Sequence, residues 1–180
     1  MRALVVYESM FGNTKAVALA IADGIRPTKE VDSFEVSEVH ATLPFDVDLL
    51  VVGGPTHAHG LTSSKTRADA SERAGIRLVS RGSGIREWLD ALLPGGTEVA
   101  ATAFDTRIKG PELLWGSAAK GAAKRLKTLG FRVLTPTSFV IGGPAGDPFD
   151  RVSDDEIRRA RNWGHTLAMA VDGAPVGTSR

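Results

Sequence analysis

The residues with the clearest chemical potential form one turn, Ser9-Met10-Phe11-Gly12-Asn13-Thr14, between an apolar run and a helical pattern. Hydroxyl and amide side chains surround a glycine where a helix begins. The first N–H groups of a helix have no intrahelical acceptor, so such a turn favours an anion, and phosphate suits this donor set. The turn has neither the G-x-x-x-x-G-K-[ST] of a nucleotide-hydrolysing loop nor the G-x-G-x-x-G of a dinucleotide fold. In isolation it reads as a polar turn with an Asn/Thr cap; its place directly after the first strand points to the anion. A second group, His57-x-His59 with Asp105, has the donor types for zinc or iron. His40 and His165 fall on other elements, and no further ligand converges, so no metal is assigned. Asp105 has no paired carboxylate and no Ser/His partners at hydrolase spacing. Gly142-Gly143-Pro144-Ala145-Gly146 reads as a turn. The chain has no Cys, which excludes disulfides, thiolate chemistry, iron–sulfur clusters and Cys-ligated zinc. Any electron chemistry must be carried by a bound organic cofactor or another metal.

These residues need a scaffold, and 180 residues with 42% hydrophobic content suffice for one globular domain with a substantial core. Its expected extent is 1–172, with an insertion at about 60–83 and a tail at 173–180. The formal charge of +1 shows no basic field for nucleic acid. No apolar run approaches the length of a membrane span, and the apolar start is too short for a signal peptide, so a cytoplasmic protein is expected.

Residues 3–7 and 49–52 are short β-branched runs suited to strands buried on both faces. Residues 99–104 read as another. Residues 131–133 and 138–141 read as one strand interrupted by Pro136, hence at an edge, and 34–37 alternates like a second edge. Helical patterns cover 14–24, then Ile85, Trp88, Leu89 and Leu92, then 118–129 ending at Gly130. Ser153-Asp154-Asp155-Glu156 reads as a capping box opening a last helix to about Val171. The 39–48 connection is short, with room for a single helical turn. Strand and helix alternate, which predicts a doubly wound parallel α/β sheet with ligands beyond the carboxyl ends of its strands.

Tyr7-Glu8-Ser9-Met10-Phe11-Gly12-Asn13-Thr14-Lys15-Ala16-Val17-Ala18 resembles the FMN-phosphate loop and first helix of the flavodoxin family, whose pattern is Ser/Thr, any residue, Thr, Gly, Asn, Thr. Val51-Val52-Gly53-Gly54-Pro55-Thr56-His57-Ala58-His59-Gly60 resembles that family's second flavin loop. Phe104-Asp105-Thr106-Arg107 occupies the place of the third. The resemblance implies a flavodoxin-like five-stranded sheet of order 2-1-3-4-5 with FMN at the switch point. It implies that Ser9, Asn13 and Thr14 donate to the phosphate, with backbone N–H groups from Met10 through Thr14 completing the nest and Lys15 adding to it. Phe11 departs from the pattern and removes one hydroxyl donor. Pro55, Thr56, His57, Ala58, His59 and Gly60 would serve the pyrimidine edge and one face of the ring, with His57 or His59 as the flat side chain. Family members often flank the ring with Trp and Tyr, but the sole Tyr is Tyr7, inside the first strand. Trp115 is the substitute in reach, or a helix-packing residue; Trp88 and Trp163 sit in core stripes.

The function so implied is electron transfer between redox partners, one of them a partner protein or a small-molecule acceptor. An FMN-dependent NAD(P)H/quinone-type oxidoreductase is the alternative, favoured by the near-neutral charge where the family's carriers are strongly acidic. A flavin-free binding or regulatory domain is the second alternative, raised by Phe11 and the missing aromatic pair. In the insertion, Lys65, Arg67, Arg73, Arg77 and Arg81 outnumber Asp69 and Glu72. It reads either as a solvated loop or as a lid or docking surface for an anionic partner.

Overall fold

The computed structural model describes residues 2–56, 60–74, 79–80, 82–108, 116–142 and 151–172. Six parallel strands form the sheet: β1 (Arg2–Tyr7), β2 (Glu30–Glu35), β3 (Val47–Pro55), β4 (Ala100–Ile108), β5 (Arg132–Val133) and β6 (Thr137–Ile141). Their order is β2-β1-β3-β4-β5, with β6 also on β4 beyond the Pro136 interruption. This is the expected 2-1-3-4-5 arrangement, its last strand split in two at the edge. Alternation along the β-branched runs sends Leu4, Val6, Leu50 and Val52 to one face and Ala3, Val5, Leu49 and Val51 to the other. Helices α3 (Ile85–Ala91) and α4 (Ala118–Thr128) close the first face through Trp88, Leu89, Ala122 and Leu126. Helices α1 (Asn13–Ile25) and α5 (Asp154–Asp172) close the second through Val17, Ile21, Leu167 and Val171. Among the described residues, no helix is long and apolar enough to cross a membrane.

Four local expectations shift. The strand predicted at 34–37 lies at Glu30–Glu35, and Val36–Glu38 is a 3₁₀ turn. A capping box folds the turn: the Ser37 N–H donates to the Glu35 carboxylate at 2.9 Å, and the Glu35 N–H donates to Glu38 at 3.2 Å. Pairing with β1 from Arg2 against Glu30 onwards, and not local alternation, sets the strand. The single helical turn of this connection is therefore the 3₁₀ turn, a few residues before 39–48. The box at Ser153 is half formed: the Glu156 N–H donates to Ser153 Oγ at 3.3 Å, but the Glu156 carboxylate accepts the Val140 N–H at 2.7 Å. Arg159 also bonds that carboxylate and holds it below its usual range, against the opposing effect of burial. Finally, the region expected to be an insertion contains α2 (Ser64–Ala74), capped by Ser63 and Thr66.

Trp88 is buried and its indole N–H donates to the Val39 carbonyl at 3.1 Å. Trp163 packs edge-on against Phe139, with ring centroids 6.1 Å apart. Trp115, residues 143–146 of the glycine turn and the tail 173–180 lie outside the described residues.

Candidate functional site

Parallel register brings the ends of β1, β3 and β4 together: Tyr7 pairs with Gly53, Gly53 with Phe104, and Pro55 with Thr106. The described residues at these strand ends lie together at the carboxyl end of the sheet. They are stitched laterally by a Thr14 Oγ1–Thr106 Oγ1 hydrogen bond of 2.7 Å and by the Thr56 N–H donating to the Thr106 carbonyl at 2.9 Å.

Four helices starting at this end show how their N–H groups are used. At α4, the Ala118 N–H donates to Thr56 Oγ1 at 2.9 Å, the Ala119 N–H to Asp105 Oδ2 at 2.9 Å, and the Lys120 N–H to Ser117 Oγ at 3.2 Å. The Ser117 hydroxyl also donates to Asp105, at 2.6 Å. At α3, the buried Glu8 carboxylate accepts the Ile85 N–H at 2.9 Å, and Glu87 accepts from Gly84 at 3.0 Å. At α5, Ser153 caps and Asp154, Asp155 and Glu156 fill the first turn. α1 differs. Its N-cap is Gly12, with φ of 91°, and it has no side-chain cap from that residue and no acidic residue in the first turn. The left-handed φ is one that L side chains adopt only at a cost, which explains the glycine. The Lys15 N–H is taken by Ser9 Oγ at 3.2 Å, while the Gly12 and Thr14 N–H groups meet no acceptor among the described residues.

The α1 start is therefore chemically an anion acceptor. Ser9 Oγ accepts from Lys15, which leaves the hydroxyl proton free to donate. In the Thr14–Thr106 pair one hydroxyl donates to the other, and the acceptor keeps a proton to give. A dianion fits neutral donors here because desolvated N–H groups and the helix dipole supply the positive potential.

The predicted residues divide by what their side chains touch. Ser9, Gly12 and Thr14 converge on the α1 start. Met10 is 1% exposed, its side chain in the interior, and offers the turn only backbone. Phe11 is half-buried. Asn13 is buried, and its Oδ1 accepts the Val152 N–H at 3.0 Å, tying the turn to the segment before α5. Pro55 ends β3, and Gly60 lies just beyond the second loop with open space where a Cβ would stand. Phe104 points into the core, edge-on to Phe139 at 6.1 Å. Asp105 and Thr56 are committed to α4, although Asp105 Oδ1 is buried without a partner among the described residues. Arg107 is half-buried at the end of β4. His57, Ala58 and His59 lie outside the described residues.

A family model described as Flavodoxin matches residues 5–163. The chain belongs to the flavodoxin family. Solved structures agree on the fold. A flavodoxin from the domain Archaea is 22% identical with a TM-score of 0.64, over 96% of this chain and 99% of that one. Oxidised Flavodoxin 1 from Bacillus cereus is 18% identical with a TM-score of 0.67, over 94% and 98%. The rubredoxin oxygen:oxidoreductase of Desulfovibrio gigas, 18% identical with a TM-score of 0.60, matches 95% of this chain with only 36% of its own. No curated protein sequence matches.

Sequence reasoning gave Glu8, Thr62, Val79 and Ser80 of this flavodoxin-family chain no role. Ser80 Oγ accepts the Ser9 N–H at 2.8 Å, and the Val79 N–H donates to the Met10 carbonyl at 3.1 Å. Glu8, a carboxylate directly before the turn at the end of an apolar strand, was the available signal. Burial pushes its carboxyl above the usual range, against the lowering effect of Thr62, Ile85 and Arg67.

Proposed function

We propose that this protein binds FMN by seating its phosphate on the 9–14 turn and passes electrons between redox partners. The observation that carries the reading is the α1 start, which has no acidic residue in its first turn and no carboxylate on its N–H groups among the described residues, while α3, α4 and α5 have acids at theirs. Family membership supports the same cofactor. Ser9, Thr14 and the Gly12 and Thr14 N–H groups would hold the phosphate, and backbone of Pro55, Thr56 and Gly60 with the 104–107 segment would flank the ring. Bound FMN would supply the redox chemistry, so no side chain of the chain need act as acid or base. Purified protein should show flavin absorbance or acquire it on adding FMN; a protein that does neither ends the reading and leaves the flavin-free alternative.

A reductase of a quinone-type acceptor is the second reading. It is favoured by the +1 charge and by exposed Lys15 and Lys65 in helix first turns, which suit an anionic electron donor better than a basic protein partner. Steady NAD(P)H consumption with a quinone separates it from an obligate carrier.

A further inference from the structure

The segment 60–84 carries few apolar residues, yet Leu61, Thr62 and Ser80 are buried. Two sets of contacts join it to the phosphate turn. Ser80 brackets Ser9: its Oγ accepts the Ser9 N–H at 2.8 Å, and its own N–H donates to the Ser9 carbonyl at 2.8 Å. The Val79 N–H continues the ladder to the Met10 carbonyl at 3.1 Å. One residue earlier, Glu8 is fully buried and accepts the Thr62 hydroxyl at 2.6 and 2.7 Å and the Ile85 N–H at 2.9 Å. Arg67, on α2, donates to Thr62 Oγ1 at 3.2 Å and pairs with both oxygens of Glu87 at 3.0 and 2.9 Å. Gly84 gives these side chains room: a Cβ there would lie 2.3 Å from Arg67 Nη1 and 2.7 Å from Glu8 Oε2, so both would have to shift.

A solvated loop has no use for a buried carboxylate at each of whose oxygens a donor arrives. We infer that Thr62, Val79 and Ser80 are built parts of the phosphate site, with Glu8 and Ser80 as positioning residues that hold the 9–14 turn in its anion-accepting shape. The inference rests on the FMN reading. With Ser9 fixed through its N–H and its carbonyl, the buried Ser9 Oγ accepts the Lys15 N–H and keeps its hydroxyl proton to donate. A turn released from Ser80 spends only part of its time in that shape, and the apparent dissociation constant rises by the inverse of that fraction.

The test titrates FMN and riboflavin, which has the ring but no phosphate, against wild type, Ser80→Ala, Ser80→Thr and Glu8→Ala, following flavin fluorescence well below the unfolding temperature. Ser80→Ala should weaken FMN about fivefold, the worth of one net hydrogen bond, and leave riboflavin unmoved. Ser80→Thr, which keeps the hydroxyl, should restore FMN binding, and Ser9 amide exchange in the flavin-free protein should quicken in Ser80→Ala alone. Glu8→Ala should lose more, about tenfold, with the same selectivity for the phosphate. If Glu8→Ala does not fold, the Ser80 pair decides. Equal weakening of both flavins, or none, overturns the inference while the FMN reading stands; a wild type that binds neither flavin removes both.

Discussion

The starts of α1 and α4 lie at the same end of the sheet and are finished in opposite ways. At α4, Thr56, Asp105 and Ser117 take successive N–H groups, and a buried carboxylate neutralises the helix end from within. At α1, a glycine stands at the N-cap, Ser9 takes the Lys15 N–H, and the first turn has no acidic residue. Both ends carry the same positive dipole and the same orphan donors. One is closed with an internal anion, and the other, on the proposed reading, receives an external one.

The contrast breaks most severely at α4. Asp105→Ala removes the acceptor of both Ala119 N–H and the Ser117 hydroxyl, so about 3 kcal/mol of stability should go, seen as a melting temperature lower by roughly 6–12 °C. Asn13→Asp makes α1 resemble α4. Its retained oxygen can still accept from Val152, the flavin-free protein should gain a few tenths to about 1 kcal/mol from the helix dipole, and FMN affinity should fall about tenfold or more by repulsion of the phosphate. Opposite movements of melting temperature and affinity are the signature; parallel movement refutes the contrast. Thr14→Ala removes one hydroxyl of the Thr14–Thr106 pair and should weaken FMN about fivefold in a fluorescence titration.

The smallest effect concerns Glu8 and pH. Burial raises its carboxyl pKa in the folded chain, so the folded state holds this proton more tightly than the unfolded one. Its stabilising contribution is complete below the ordinary glutamate range and declines as pH rises from there through the raised value. Glu8→Gln cannot ionise and lacks that decline. Urea midpoints measured from about pH 4 upward should therefore shift in favour of Glu8→Gln relative to wild type. An opposite drift would show that Thr62, Ile85 and Arg67 outweigh burial.

Much of this was legible beforehand because it depends on local pattern. Apolar runs of β-branched residues at 3–7 and 49–52 mark central strands, Pro136 marks the split edge, and the Ser9–Thr14 turn announces its donors. The capping role of Asp105 was not legible, since its partners Ser117 and Ala119 are more than ten residues away and become neighbours only when α4 folds back on β4. Glu156 shows the same limit: the local rule gives it a capping box, and the fold gives it the Val140 N–H. The buried hydrogen bonds of Thr62 and Ser80 in the 60–83 region were not legible, because polar contacts have no hydrophobic period to detect.

By itself the sequence determined the alternation of strands and helices, the two-faced core and the donor-rich turn, because periodicity and donor type act between near neighbours in the chain; the strand order followed only from the family resemblance. Only the tertiary structure decided that α3 and α4 receive carboxylates from distant segments at their starts, and that Ser80 bonds Ser9 and Thr62 bonds Glu8. Those outcomes depend on carboxylates and hydroxyls from distant segments arriving within hydrogen-bond distance of particular N–H groups, which register and helix packing alone can arrange.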